Sequence, residues 1–173
     1  GVPYTILDVA SQSPTARGSN TLVKTKMRNL ITGQFLAQTF KAGEKFQEPD
    51  LENRNCSYLY NDGEHYHFMD QESYEQFQMT EQEVGDAASF LVENAEVKVV
   101  LFNMGPVGVE VPSTMVLTVT ECEPAVRGDT VNAVTKAATL ETGFVVQVPM
   151  FVDQGEKVKV DTREGRYLSR VRP

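Results

Sequence analysis

Apolar and polar positions alternate with a period of two along most of this chain, as strands with one covered and one wet face require. In residues 21–28, Val23, Thr25 and Met27 fall on one side and Lys24, Lys26 and Arg28 on the other. Residues 30–34 then read as a turn, with Gly33 supplying the permissive backbone, and 34–40 as the returning strand. Segments 56–60 and 64–68 flank Asn61-Asp62-Gly63, a strong hairpin signal. Alternation puts Tyr58 and Tyr60 on one face of the first, Tyr66 and Phe68 on one face of the second, and His65 with His67 on the other. Thr80-Glu81-Gln82-Glu83 has the form of a capping box and predicts one short helix through about Leu91. Segments 96–102 and 107–111 read as strands joined across Asn103-Met104-Gly105-Pro106. Further strands are expected over 115–120, 144–148, 157–161 and 167–171, with a long polar loop over 123–138. Short strands at this spacing, one helix and many glycine turns predict an all-β chain of small barrels rather than one sandwich.

Charge sharpens this division. The 173 residues carry a formal net charge of −8, which at first argues against nucleic acid. Residues 1–48 hold six cations against three acids, 49–111 two against thirteen, and 112–173 eight of each. We therefore expect three domains, 1–48, 49–111 and 112–173, of which the first meets phosphate. The plainer reading is that the acids serve solubility and the basic excess is incidental.

Composition adds less. No run of 18 apolar residues is present, so no membrane helix is expected. Gly1-Val2-Pro3-Tyr4 lacks the form of a signal peptide. The chain starts almost inside a strand (residues 4–9) without an initiator Met, so residues upstream are expected. Cys56 and Cys122 stand alone, which predicts inert thiols in a reducing cytoplasm and no disulfide framework or zinc site. His65 and His67 find no third His or paired Cys for a usual metal set, and they sit in an acidic hairpin expected to be solvated. No nucleophile elbow or phosphate-binding glycine loop occurs, so no enzyme activity, metal or cofactor is expected.

Two features remain as candidate chemistry. Lys24, Lys26 and Arg28 form a stripe that could track an RNA backbone, or an ordinary solvated face. The loop Ser13-Pro14-Thr15-Ala16-Arg17-Gly18 is a tight excursion with Pro14 stiffening its base and Gly18 permitting an unusual backbone angle. Ala16 leaves Arg17 uncrowded, and a fixed turn can place a planar guanidinium against phosphate or base edges. It also reads as a plain surface hairpin with an incidental Arg.

The chain as a whole resembles bacterial elongation factor P. The motifs are Ser57-Tyr58-Leu59-Tyr60-Asn61-Asp62-Gly63-Glu64 with His67-Phe68-Met69, then Glu123-Pro124-Ala125-Val126-Arg127-Gly128-Asp129-Thr130. Lys136-Ala137-Ala138-Thr139-Leu140-Glu141-Thr142-Gly143 and Val160-Asp161-Thr162-Arg163-Glu164-Gly165-Arg166-Tyr167 follow in family order. The resemblance implies an N-terminal SH3-like (KOW-type) barrel and two OB folds in an L-shaped, tRNA-like arrangement. It implies a cytoplasmic, monomeric factor that binds the 70S ribosome between the P and E sites and relieves stalls at consecutive prolines. There it touches rRNA and positions P-site peptidyl-tRNA, lending orientation to the ribosome's own chemistry.

By the same resemblance Arg17 is the tip residue, flanked by Ser13, Pro14, Thr15, Ala16 and Gly18. Lys24, Lys26 and Arg28 face the tRNA acceptor region, and Gly128, Asp129 and Thr130 form a loop near E-site messenger RNA on the small-subunit side. An Arg at the tip excludes lysine-directed modification. In one branch of the family it is rhamnosylated by an arginine-modifying glycosyltransferase; in the elongation-factor-P-like paralogue, whose loop is similar, it acts bare. Both states stay open for Arg17. The family also carries about one more strand ahead of Gly1, and a first domain without it exposes a barrel edge. The alternatives are an OB-type RNA binder outside translation and an adaptor that uses the acidic middle domain.

Overall fold

The computed structural model describes residues 1–13, 15, 18–124 and 135–172. Its strands make three antiparallel sheets, one for each stretch of distinct charge. The first is a meander of β1 (Tyr4–Gln12), β2 (Leu22–Asn29) and β3 (Phe35–Lys41). Thr25 and Met27 are buried while Lys24 and Lys26 are exposed, so the alternation read in 21–28 is the real one.

The second sheet comprises β4 (Leu51–Asn61), β5 (His65–Asp70), β6 (Gln76–Thr80), β7 (Glu96–Phe102) and β8 (Gly105–Glu110), in the order β6-β5-β4-β7-β8. The third comprises β9 (Thr114–Cys122), β10 (Thr135–Leu140), β11 (Val145–Pro149), β12 (Lys157–Asp161) and β13 (Arg166–Val171), in the order β11-β10-β9-β12-β13. Both place their strands third, second, first, fourth, fifth. In both the sheet curls until its edge strands approach, β6 towards β8 and β11 towards β13. Closure removes the exposed edge and gives each barrel its own interior. Phe68, Met79 and Val99 fill the middle one; Leu117, Leu140, Val148, Val158 and Val160 fill the last.

Several local expectations are corrected. The helix is only Glu81–Val84 (α1), followed by a 3-10 turn, Gly85–Phe90. The capping box is present: Thr80 Oγ1 accepts from Glu83 N at 3.4 Å and Glu83 Oε2 accepts from Thr80 N at 2.8 Å. Gly85 ends the helix because its φ of 61° and ψ of −140° break the ladder. Strand β10 (Thr135–Leu140) begins inside the expected 123–138 loop, and β6 was not expected. A bulge between Tyr58 and Tyr60 separates the two rings, with Tyr58 buried and Tyr60 exposed. Nor are both hairpin histidines solvated: His65 is half-buried. His67 is buried, its Nε2 lies 2.8 Å from Asp62 Oδ2, and its ring stacks on Tyr60.

The two barrels pack on each other. Val92, Val111 and Met115 touch both cores, and the Phe90 and Phe144 rings lie 5.0 Å apart. Thr142 Oγ1 donates to Ser89 O and Thr162 Oγ1 to Pro112 O, both at 2.6 Å.

Candidate nucleic-acid interface

The first sheet has two contrasting faces. Opposite Lys24, Lys26 and Arg28 on β1 stand Ala10, Asp8 and Thr5; on β3 stand Thr39, Ala37 and Phe35. Small and polar neighbours leave Lys24 and Lys26 open to solvent. Neither belongs to the ion pairs formed among the described residues, which tie Arg54 to Glu52, Asp70 and Glu75, His67 to Asp62, Arg166 to Glu164 and Arg170 to Glu156. Two unpaired lysines on the same face of one strand, with Cα atoms about 7 Å apart, form a cationic line suited to a phosphate backbone.

At one end of this ladder Gln12 pairs with Leu22, and the 13–18 segment lies between these two residues in sequence. Ser13, Thr15 and Gly18 are exposed, and Gly18 has φ 91°. Pro14, Ala16 and Arg17 lie outside the described residues, as do Gly128, Asp129 and Thr130. At the other end Tyr4 pairs with Asn29, and the β2–β3 turn begins. There Asn29 Oδ1 accepts from Ile31 N and Thr32 N at 2.8 and 3.0 Å, and Gly33 (φ 72°) donates to Asn29 O at 2.9 Å. Arg28 behaves unlike its two companions: it is half-buried, and its side chain extends to Gly33 and to Gly85 of the middle barrel.

The opposite face carries an apolar groove of about 820 Å³, lined among others by Tyr4, Ile6, Val9, Met27, Phe46 and Phe102.

The turns of the barrels are held by carboxylates. Asp62 Oδ1 accepts from Glu64 N and His65 N, Asp70 Oδ1 from Glu72 N and Ser73 N, and Asp161 Oδ1 from Arg163 N and Glu164 N, all within 3.1 Å. His67, together with these amides, holds Asp62 well below the usual carboxylate range. Backbone donors, aided by Arg54, lower Asp70, and backbone donors lower Asp161. Burial, with Asp70 nearby, pushes the Cys56 thiol up to about 11, so it is a core residue rather than a nucleophile. Among the described residues no three His, Cys, Asp or Glu side chains cluster as a metal would need.

An open cationic sheet followed by two closed, helix-poor barrels defines a chain of small β domains. Residues 1–46 match the elongation factor P (EF-P) KOW-like domain, 51–109 the elongation factor P (EF-P) OB domain, and 115–170 the elongation factor P C-terminal domain. The chain is 47% identical over 170 residues to elongation factor P of Oleidesulfovibrio alaskensis and to that of Thermotoga maritima, covering 98% of this chain and 91% of each relative. Among solved structures it is similar to eukaryotic translation initiation factor 5A from Methanococcus jannaschii, with TM-score 0.44 and 18% identity over 65% of this chain and 79% of that one. The chain belongs to the elongation factor P family. It is a translation elongation factor and not an enzyme.

Two residues that matter to this geometry, Gly33 and Gly85, were not singled out as contacts by the sequence. Their signal was a glycine in each segment where two domains meet, but the meeting itself has no sequence signature.

Proposed function

We propose that this chain binds the 70S ribosome between the P and E sites and promotes peptide-bond formation at runs of proline by holding P-site peptidyl-tRNA. The observation that carries the reading is the match of all three domains, in order, to one translation-factor family. The exposed Lys24 and Lys26 lie along the strand that leaves the 13–18 loop, so a tRNA backbone on this face directs that loop at the reacting end. Arg17 at the tip then acts as a positioning group, restricting the motion of peptidyl-tRNA without sharing in bond chemistry. The 128–130 loop serves the messenger side. Contacts to rRNA complete the binding, and the factor works as a monomer. Among the described residues no helix is long and apolar enough to cross a membrane.

Reconstituted translation of a Pro-Pro-Pro template tests this. Wild type is expected to relieve the stall, and Arg17→Ala to lose about 10²-fold in rate at the level expected for a misplaced positioning group. No relief by wild type overturns the reading. The mass of the peptide spanning Arg17 separates a bare guanidinium from a rhamnosylated one. Tight, salt-steep binding to free single strands favours instead an RNA binder outside translation.

A further inference from the structure

The expected RNA stripe has an odd member. Lys24, Lys26 and Arg28 share one face of β2, yet only Arg28 is half-buried, and it is the one at the end nearest the middle barrel. A Cβ placed on Gly85 would lie 3.1 Å from Arg28 Nη1, so the guanidinium rests directly over that glycine. A Cβ on Gly33 would lie 3.8 Å from Arg28 Nη2 and 3.6 Å from Gln82 Oε1. Four residues thus interlock: Arg28 and Gly33 from the first sheet, Gln82 and Gly85 from the helical turn of the middle barrel.

Each half of this seat is stiff. The β2–β3 turn is braced by the Asn29 side chain, and α1 by the capping box at Thr80 and Glu83. The middle-barrel half is acidic, with Glu81, Glu83 and Asp86 and no basic residue in the last turn of α1. Arg28 brings a cation to it from the other domain. Its planar head can lie flat on a glycine in a way an ammonium cannot.

We infer that Arg28 is a positioning residue: seated over Gly85, it sets the angle at which the first sheet, and with it the 13–18 loop, leaves the middle barrel. The lever is long. Six residue steps along β2 separate Arg28 from Leu22, about 20 Å at roughly 3.3 Å per residue. A tilt of about 10° at the seat therefore displaces the loop by about 3 Å over that length. Displacements of about 1 Å already cost catalysis by orientation dearly. The consequence for translation rests on the proposed function; the angle itself does not.

The test uses the full chain, with spin labels at Asn20→Cys and Glu64→Cys in a Cys122→Ser background; both labelled positions are exposed and Cys56 is buried. Double electron–electron resonance on the free protein is expected to give one narrow distance. Arg28→Ala should shift or broaden it by about 3 Å, the lever estimate above. Gly85→Ala should do the same from the opposite side, and Arg28→Lys should not restore the narrow distance. Lys24→Ala and Lys26→Ala should leave the distance alone while weakening ribosome binding and flattening its salt dependence. An unchanged distance in Arg28→Ala overturns the inference, as does a wild-type distance in Arg28→Lys, which would mean that any cation suffices and that the planar seat on Gly85 does not set the angle. Arg28 lies outside both barrel cores, so their folds survive the change. Because the distance is read without ribosomes, it can fail while stall relief stands, or stand while stall relief fails.

Discussion

The first sheet and the C-terminal barrel are written in the same alternating pattern and end in opposite states. In the barrel, β12 reads Lys157-Val158-Lys159-Val160, and both valines are wholly buried. In the first sheet, Ile6, Val9 and Leu36 also occupy apolar positions, yet they are 59%, 56% and 43% exposed. Among described residues of that sheet only Thr25 and Met27 are buried. The difference lies in closure: β11 meets β13 around a common interior, whereas β1–β3 line an open groove. Alternation tells which face is apolar and not whether anything covers it.

The sharpest way to break this comparison is paired truncation. Leu117→Ala, at a wholly buried position, should cost about 3–5 kcal/mol by loss of transfer energy and the cavity left. Ile6→Ala, at an exposed position lining the groove, should cost under about 1 kcal/mol, since little area is removed from water. Amide exchange of β9 and β2 reads each domain separately. Equal costs would mean that the groove is covered in solution.

A smaller effect is expected at Gly165 in the turn before β13. Its φ is 64°, and a Cβ there would lie 2.9 Å from Phe144 Cζ. Gly165→Ala should therefore cost roughly 1–3 kcal/mol through strain and displacement of Phe144, which packs on Phe90 across the barrel junction. A melting curve with unchanged midpoint would show that the junction yields freely. Thr80→Ala removes the cap of α1 and should cost about 1 kcal/mol, read as faster exchange of the Glu83 amide.

Acid provides the gentlest probe, because the depressed carboxylates Asp62, Asp70 and Asp161 all belong to the two barrels. Their folded pKa values lie below the unfolded ones. They therefore contribute stability above the ordinary carboxylate pKa of about 4, and lose it progressively as pH falls through the depressed values. Protection factors of barrel amides, corrected for the intrinsic exchange rate, should fall below about pH 4, and Asp161→Asn should flatten that dependence for the third sheet. An unaltered acid limb in this variant would remove Asp161 from the account.

Much of the architecture was legible along the chain, for reasons that are local. The Asn61-Asp62-Gly63 turn, the capping box at Thr80 and the faces of β2 and β12 depend on residues within a few positions of each other. The family motifs likewise marked the whole chain, and with it the loop 13–18 and the cations 24, 26 and 28 as candidates. What was missed depends on distant partners. Strand β10 hid in a polar stretch because its Lys136 is buried only where its ammonium meets the Glu123 carbonyl. Tyr60 left the face of Tyr58 because a bulge reset the register against β5. His67 went inside because Asp62, across the turn, gave it a partner.

By itself the sequence determined that the chain is all-β, where most strands run, which faces are apolar and which family it belongs to, since pleat, turn and cap chemistry act over a few residues. Tertiary structure alone decided which apolar faces are covered, and that Arg28 leaves its stripe to rest on Gly85. Both depend on surfaces from separate segments meeting in space, and no local spacing encodes that meeting.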